Sequence, residues 1–258
     1  MKRAFLAAIA FSAIAAAQPP FGPAPGLPKP PKAAAPVDFT GYWVSVVSED
    51  WRWRMVTPLK GDFANIPVNA EARKVGETWD PAKDEAAGLQ CKAYGAPGIM
   101  RVPGRVHITW ENENTLKIET DAGMQTRLFH FNSKPPEGTE PSWQGYSVAN
   151  WERPPNGVEV ADPFPVFAVR TGTHGKSLEV ATTNLRPGYL RKNGIPYSAG
   201  ATVNEFYDYH KEPNGDEWFT VTTIVRDPQY LTGPWITSTD FKKQPDATNW
   251  HPEACSAR

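Results

Sequence analysis

Long apolar runs and a strong excess of one charge are both missing from this 258-residue chain. The formal net charge is −1, and acidic and basic residues are mixed along the whole sequence, so no basic patch predicts nucleic-acid binding. The longest apolar run, residues 4–16, has about 13 residues, whereas a helix needs roughly 20 to cross a bilayer. We therefore expect no nucleic-acid partner and no membrane span.

Cysteine and histidine are scarce as well, with two cysteines, Cys91 and Cys255, and five histidines. Two distant cysteines and five scattered histidines show no metal-ligand spacing, so we expect no metal site. In an exported protein the two cysteines can form one intramolecular disulfide, which would tie the C-terminal tail to the early part of the domain. Two unrelated buried thiols are the alternative.

Motifs for nucleotides and activated serines are also absent. The glycines form neither a phosphate loop nor a Rossmann pattern, and we therefore expect no cofactor. The stretch Gly145-Tyr146-Ser147-Val148 begins like a nucleophile elbow but lacks the closing glycine and a following helix. These absences argue against nucleotide-dependent chemistry and common serine hydrolysis, but not against proton transfer in a cavity.

The first 17 residues have the features of a cleavable signal peptide. Lys2 and Arg3 form a positive start, residues 4–16 the apolar stretch, and residues 15–17 a small-residue cleavage site. This pattern predicts a periplasmic or secreted protein, whose formal charge would change from −1 to −3 on cleavage. Residues 18–36 hold eight prolines, which is typical of a flexible or stiff lead-in. Residues 37–258 remain as a single domain.

Strand-like patterns dominate that domain, because β-branched and aromatic residues alternate with polar ones between turn residues. Helical periodicity follows Asn69, a predicted N-cap, and ends near residues 80–81, with a second short turn over 83–89. The sequence predicts an all-β fold, an antiparallel meander closed into a lipocalin-like barrel or a sandwich, with one or two short helices near residues 70–90. A closed barrel has no exposed edges and commonly keeps a ligand cavity. The predicted strands are 42–47, 51–56, 105–110, 115–120, 124–131, 145–152, 177–184, 202–210, 217–226 and 235–242.

Aromatic residues are abundant, with ten tryptophans, eight tyrosines and twelve phenylalanines. In Trp51-Arg52-Trp53-Arg54 a strand would place both tryptophans on one face and both arginines on the other. Tryptophans that face inward would line a core or a pocket. Arginines that face inward would instead imply an anionic ligand.

The densest polar cluster is Glu119, Asp121, Arg127 and His130, which lie on one predicted hairpin. A histidine near a carboxylate is the minimum for general acid–base catalysis, because its pKa lies near neutral pH. His130 is therefore a catalytic candidate. A hydrogen-bonded structural histidine between two phenylalanines is the alternative.

Four segments resemble a widespread family of exported, mostly uncharacterised bacterial proteins over about 150 residues from Ile99 onward. In that family the second and third segments read Trp-x-Gly-His-Ser and Gly-x-Pro-His-Ser, whereas Tyr146 and Tyr197 stand at the two histidine positions here. If both positions face one cavity, a phenol pair replaces an imidazole pair. Gly41-Tyr42-Trp43 is also similar to the Gly-x-Trp of the first lipocalin strand. The four segments are Val102-Pro103-Gly104-Arg105, Trp143-Gln144-Gly145-Tyr146-Ser147, Gly194-Ile195-Pro196-Tyr197-Ser198 and Asp227-Pro228-Gln229-Tyr230-Leu231-Thr232-Gly233-Pro234-Trp235.

Together these features predict an exported barrel that binds an aromatic or hydrophobic small molecule and performs cofactor-independent lyase, isomerase or hydratase chemistry on it. A non-catalytic carrier or scavenger with the same cavity is the main alternative, and a structural envelope protein is the third. The predicted catalytic groups are Tyr146, Tyr197, His130, Arg101, Arg127 and Glu205, and the predicted ligand-binding walls are Trp43, Trp53 and Trp143.

Overall fold

The computed structural model describes residues 29–131, 133–152 and 177–258. The predicted signal peptide, residues 1–17, lies outside the described residues. The last part of the predicted lead-in contacts the folded domain, because the Trp151 indole Nε1 donates a 2.9 Å hydrogen bond to the Pro31 carbonyl. No helix in the described ranges is long and apolar enough to cross a membrane.

The described ranges are mostly strand. The strands are β1 (Gly41–Val46), β2 (Arg105–Asn112), β3 (Thr115–Thr120), β4 (Ala122–Gly123), β5 (Thr126–Phe131), β6 (Tyr146–Trp151), β7 (Ser177–Thr183), β8 (Gly188–Tyr189), β9 (Pro196–Tyr197), β10 (Thr202–Lys211), β11 (Glu217–Arg226), β12 (Trp235–Gln244) and β13 (Glu253–Ala254). Nine of these described strands form a closed barrel in the order β1-β12-β11-β10-β7-β6-β5-β3-β2. The predicted all-β barrel is confirmed.

One pair of neighbouring strands departs from the antiparallel meander. β5 and β6 run parallel, with Phe129 opposite Ser147 and Phe131 opposite Ala149. An odd number of strands cannot alternate in direction around a closed ring, so one neighbouring pair must be parallel. The link between β5 and β6 therefore has to cross the length of the barrel before pairing resumes.

The barrel interior is filled by side chains. Trp43, Phe129, Phe219 and Phe241 are at most 2% exposed, and the rings of Phe219 and Phe241 stack with centroids 4.7 Å apart. Trp43 packs 4.8 Å from Phe219. Its indole nitrogen donates to the Phe39 carbonyl at 2.8 Å, as a buried indole must when no water is available. A small barrel whose interior positions are filled in this way has a packed core.

Three short α-helices lie between β1 and β2: α1 (Trp51–Arg54), α2 (Ala70–Glu77) and α3 (Pro81–Ala86). The N-cap prediction for α2 is confirmed, because the Asn69 side chain accepts a hydrogen bond from the Ala72 backbone at 2.9 Å. The prediction of a strand over 51–56 is wrong. Asp50 adopts a left-handed backbone at φ 50°, and the Met55 backbone N–H donates to the Trp51 carbonyl at 2.9 Å, which closes a helical turn.

A second hydrophobic cluster covers one end of the barrel. Its barrel members are Val203, Val225 and Trp235, at the start of β10, the end of β11 and the start of β12. Phe63 and Leu190 pack with them from the β1–β2 and β8–β9 regions. This end of the barrel is therefore closed by loops and short helices.

The predicted disulfide between Cys91 and Cys255 is present, with a sequence separation of 164 residues. Cys91 belongs to the 3-10 helix Gln90–Tyr94, next to a second 3-10 helix, Ile99–Arg101. The bridge joins this region to the C-terminal tail, whose strand β13 pairs in parallel with β4. A crosslink over such a long loop restricts the unfolded chain strongly.

Candidate functional site

A half-open pocket with a volume of about 60 Å³ lies where α1, the 3-10 helices and the turn after β8 meet. Its lining combines apolar and cationic side chains and contains no acidic residue. The lining residues are Trp53, Arg54, Val56, Thr57, Pro58, Ala93, Gly98, Arg101, Val102, Pro103, Leu190, Arg191 and Lys192.

Three arginines of this pocket are buried. Arg54, Arg101 and Arg191 are 8%, 7% and 6% exposed, although arginine is almost never buried unless it is paired. Arg54 donates from Nε to the Arg101 carbonyl at 3.0 Å and pairs through Nη1 with Glu49. Arg101 donates from Nη2 to the Asp50 carboxylate at 3.0 Å. These contacts hold two guanidinium groups beside each other.

Arg191 is held differently. In the described parts of the chain it forms no ion pair, and its Nη2 donates to the Ala64 carbonyl at 2.6 Å. Its guanidinium carbon lies 5.6 Å from the centroid of the Trp53 ring, which is within cation–π range. The third arginine of the pocket therefore contacts an aromatic ring and a backbone carbonyl.

Several guanidinium donors have no partner among the described residues. They are Nη2 of Arg54, Nη1 of Arg101, and both Nε and Nη1 of Arg191. A buried donor without a partner costs about 1–3 kcal/mol, and more when the group is charged. Unpaired donors thus occur on three arginine side chains that line one pocket.

Burial also changes the pKa values of these arginines. Removal from water lowers the pKa of Arg54 and of Arg101, while Glu49 and Asp50 partly oppose that effect. For Arg191, burial and the nearby positive charge of Arg101 lower the pKa to about 10. At neutral pH all three arginines stay positively charged, and only Arg54 and Arg101 have a carboxylate partner among the described residues.

Two residues that the sequence predicted for the site, Arg101 and Trp53, lie in this pocket. Trp53 is held in place by a 3.2 Å hydrogen bond from its indole nitrogen to the Asp62 carboxylate. The other predicted residues lie elsewhere.

Arg127 and Glu205 meet inside the barrel, where both side chains are inaccessible to solvent. Their contact is bidentate, with Nη1 to Oε1 at 2.8 Å and Nη2 to Oε2 at 2.6 Å. The Tyr207 hydroxyl donates to Glu205 Oε1 at 3.2 Å, and burial together with the Glu205 charge raises the pKa of Tyr207 well above its usual value. The Arg127 guanidinium also lies 4.9 Å from the centroid of the Phe129 ring and donates to the Thr182 hydroxyl at 3.4 Å, so the pair is integrated into the packing of the barrel interior.

His130 and Tyr146 lie together on the outside of the barrel, at positions that alternate with the buried ones of β5 and β6. Their rings stack with centroids 4.5 Å apart and an interplanar angle of 12°. The Tyr146 hydroxyl lies 2.9 Å from the Ser133 hydroxyl, and partial burial lowers the pKa of His130. This pair is separate from the arginine pocket.

Tyr197 belongs to the second hydrophobic cluster and is 1% exposed. Its ring passes so close to Gly95 and Gly188 that a Cβ at either position would collide with the phenol. Its hydroxyl has no partner among the described residues, and burial raises its pKa. No hydrogen bond or ring contact in the described ranges joins it to Tyr146.

Trp43 and Trp143 also lie outside the arginine pocket. Trp43 is part of the barrel core. Trp143 donates from its indole nitrogen to the Pro187 carbonyl at 3.2 Å, and Arg186 covers its ring at 4.7 Å. Each indole thus has a structural contact.

Replacing Tyr197 with phenylalanine should raise the free energy of unfolding by about 1 kcal/mol, because it removes a buried hydroxyl that has no partner. Urea denaturation measures this change. As a matched control, Tyr207→Phe should lower stability, because its hydroxyl is hydrogen-bonded to Glu205. A large loss of stability in Tyr197→Phe would show that its hydroxyl does have a partner.

The sequence did not single out Arg54, Arg191 or Lys192 as site residues. Arg54 was part of the Trp-Arg-Trp-Arg segment, whose inward arginines would imply an anionic ligand, and one of its two arginines does face the pocket. Arg191 and Lys192 are adjacent basic residues in the turn between β8 and β9, a position where charged side chains are normally solvated.

A scan against models of protein families, a search of curated proteins and a search of solved structures found no match to this chain. The resemblance to exported bacterial proteins therefore stays a prediction.

Proposed function

We propose that this protein binds a small organic anion in the pocket formed by Arg54, Arg101 and Arg191. The observation that carries the proposal is the set of unpartnered donors on three buried guanidinium groups in a pocket with no acidic lining. Guanidinium groups present planar, paired donors that match a carboxylate, sulfate or phosphate. A bound oxyanion would accept these hydrogen bonds and compensate the buried charge.

An organic anion is favoured over a simple inorganic one because most of the remaining lining is apolar. Trp53, Val102 and Leu190 supply hydrophobic walls beside the cationic groups. Ligand sites typically combine such walls with a few polar groups that fix orientation. This agrees with the predicted hydrophobic or aromatic ligand and adds a negative charge to it.

The pocket supports binding better than it supports the predicted proton-transfer chemistry. General acid–base catalysis needs a group with a pKa near the working pH within reach of the ligand. His130 and Tyr146 lie on the outside of the barrel, and the lining contains neither histidine nor a carboxylate. We therefore favour a carrier or scavenger over a lyase or isomerase.

Export remains part of this proposal. The signal-peptide pattern of residues 1–17 supports it, and so does the disulfide between Cys91 and Cys255, because structural disulfides persist in oxidising compartments. An anion carrier does not consume nucleotides, so it can work outside the cytoplasm.

Thermal unfolding in the presence of benzoate or sulfate tests the binding proposal. A ligand that binds only the folded state stabilises it by mass action, by about 2.7 kcal/mol at a hundred times its Kd, so the melting temperature should rise with anion concentration. Arg101→Gln should lose this response. Arg226→Gln, a change at an exposed arginine of β11, is the matched control and should keep it.

Two outcomes would count against the proposal. One is the absence of an anion response in the wild type, and the other is an equal response in Arg101→Gln and Arg226→Gln. Circular dichroism should show that both variants are folded before the comparison is made. Mass spectrometry of a bound anion after long incubation should recover it unchanged, whereas conversion would restore the catalytic hypothesis.

A further inference from the structure

Large exposed hydrophobic side chains are concentrated in one short segment beside the arginine pocket. Trp51, Met55, Val56 and Leu59 are 67%, 59%, 68% and 82% exposed. Single exposed apolar residues are ordinary on protein surfaces, but a contiguous patch marks a binding site. We call these four residues the apolar strip.

The apolar strip is continuous with the pocket. Val56 belongs both to the strip and to the pocket lining, together with its neighbour Thr57. In α1, Trp51 belongs to the strip and Trp53 and Arg54 belong to the lining. One stretch of nine residues, 51–59, thus supplies a cationic group, a pocket wall and an exposed apolar surface.

A ligand longer than the pocket would extend over the exposed part of the pocket lining. The barrel interior is filled by Trp43, Phe219 and Phe241, each at most 2% exposed, so an apolar chain cannot enter it. Val56 and Thr57 are the exposed residues of the pocket lining, and Val56 is 68% exposed. A chain attached to an anion in the pocket would leave along these residues.

We propose that the ligand is an anionic amphiphile, a single molecule with a carboxylate-like head held by the pocket arginines and an apolar chain laid on the apolar strip. This inference rests on the proposed anion-binding function and specifies the class of anion. Charge and apolarity occur side by side on the protein, and this combination matches the two ends of such a molecule. When the apolar chain of the ligand packs on the strip, apolar surface of both is removed from water.

Isothermal titration with acetate, butanoate, hexanoate and octanoate, at concentrations where each is monomeric, tests the inference. Each methylene that becomes buried adds about 0.8 kcal/mol, which is roughly a fourfold gain in affinity. Affinity should therefore rise with chain length and level off when the chain extends beyond the strip. Equal affinity for all four carboxylates would overturn the amphiphile while leaving the anion site standing. Failure of every carboxylate and of sulfate to bind would remove the proposed function itself.

A double variant tests whether the apolar chain of the ligand lies on the apolar strip. Met55→Ser combined with Leu59→Ser, two residues of the strip that are not part of the pocket lining, should flatten the chain-length dependence and leave acetate affinity unchanged. The matched control is Leu128→Ser combined with Ile236→Ser, two exposed apolar residues elsewhere on the barrel, which should keep the full dependence. An unchanged slope in the Met55 and Leu59 variant would overturn the placement on the strip.

Two further measurements test whether the strip binds a lipid surface or a second copy of the chain instead of an amphiphile. Sedimentation with vesicles of phosphatidylglycerol tests a membrane surface, and binding to vesicles without binding to monomeric octanoate would overturn the proposal in favour of a lipid surface. Analytical ultracentrifugation tests a second copy of the chain. A dimer that the strip variant dissociates, with no octanoate binding, would likewise overturn it.

Discussion

Replacing Arg191 with methionine should make the free protein more stable and at the same time abolish its response to anions. Arg191 is 6% exposed, and its Nε and Nη1 have no partner among the described residues. Replacing buried charges by apolar groups of similar volume is often stabilising by about 1–4 kcal/mol, and the lost hydrogen bond to Ala64 reduces this gain. We expect a net rise of about 1–2 kcal/mol in the free energy of unfolding.

The pH dependence of this gain follows from the lowered pKa of Arg191. Its folded-state pKa of about 10 lies below the ordinary value for arginine, so the unfolded chain holds this proton more tightly. The penalty in the wild type is complete below pH 10 and is relieved as the pH rises above 10 toward the pKa of arginine in the unfolded chain. The stability advantage of Arg191→Met should therefore be constant near neutral pH and shrink above pH 10.

Urea denaturation of wild type and Arg191→Met, with and without sulfate, measures both effects. Arg226→Met is the matched control at an exposed arginine and should change neither the stability nor the anion response appreciably. A destabilised Arg191→Met that still responds to sulfate would show that this guanidinium belongs to the packing of the fold and not to an anion site. Functional sites commonly lower the stability of the ligand-free protein.

The barrel could be predicted because alternation of buried and exposed residues is a local property of each strand. Strands β3, β11 and β12 show it directly, and each matches a predicted run. The parallel pairing of β5 with β6 is not local, since it follows from closing an odd number of strands. Periodicity gives the strands of a barrel but not their number around it.

The Trp51-Arg52-Trp53-Arg54 segment shows where local reasoning fails. Its alternation of aromatic and charged residues favours a strand, but strand propensity is readily overridden by tertiary contacts. Arg54 finds its acceptor at the Arg101 carbonyl, 47 residues away, and a helical turn brings it there. The same segment also raised the possibility of arginines that face inward, and Arg54 does line the pocket.

The candidate site was only partly visible in the sequence for a similar reason. Arg101 and Trp53 were predicted and lie in the pocket, whereas the turn with Arg191 and Lys192 carries no local sign that it is buried. Tyr146 and Tyr197 occupy matching motif positions, but one lies on the barrel exterior and the other in a core cluster. Motif position does not show which side chains the fold brings together.

The ion pair inside the barrel should be the most sensitive point of the fold. Glu205→Gln should lower the free energy of unfolding by about 3–5 kcal/mol, because it leaves the Arg127 guanidinium buried without a counter-charge. Glu179→Gln, a change at an exposed carboxylate of the adjacent strand β7, is the matched control and should be within about 0.5 kcal/mol of wild type.

A double replacement distinguishes the cost of an unpaired charge from the value of the pair. Arg127→Met combined with Glu205→Leu removes both charges, so most of the stability lost in Glu205→Gln should return. Urea denaturation of the wild type, Arg127→Met, Glu205→Leu and the double variant gives the coupling free energy. Anion binding should survive in every folded member of this set, because the pair lies in the barrel core and the pocket lining contains neither residue. Loss of binding in the folded double variant would instead extend the site into the barrel interior, where the sequence first placed it.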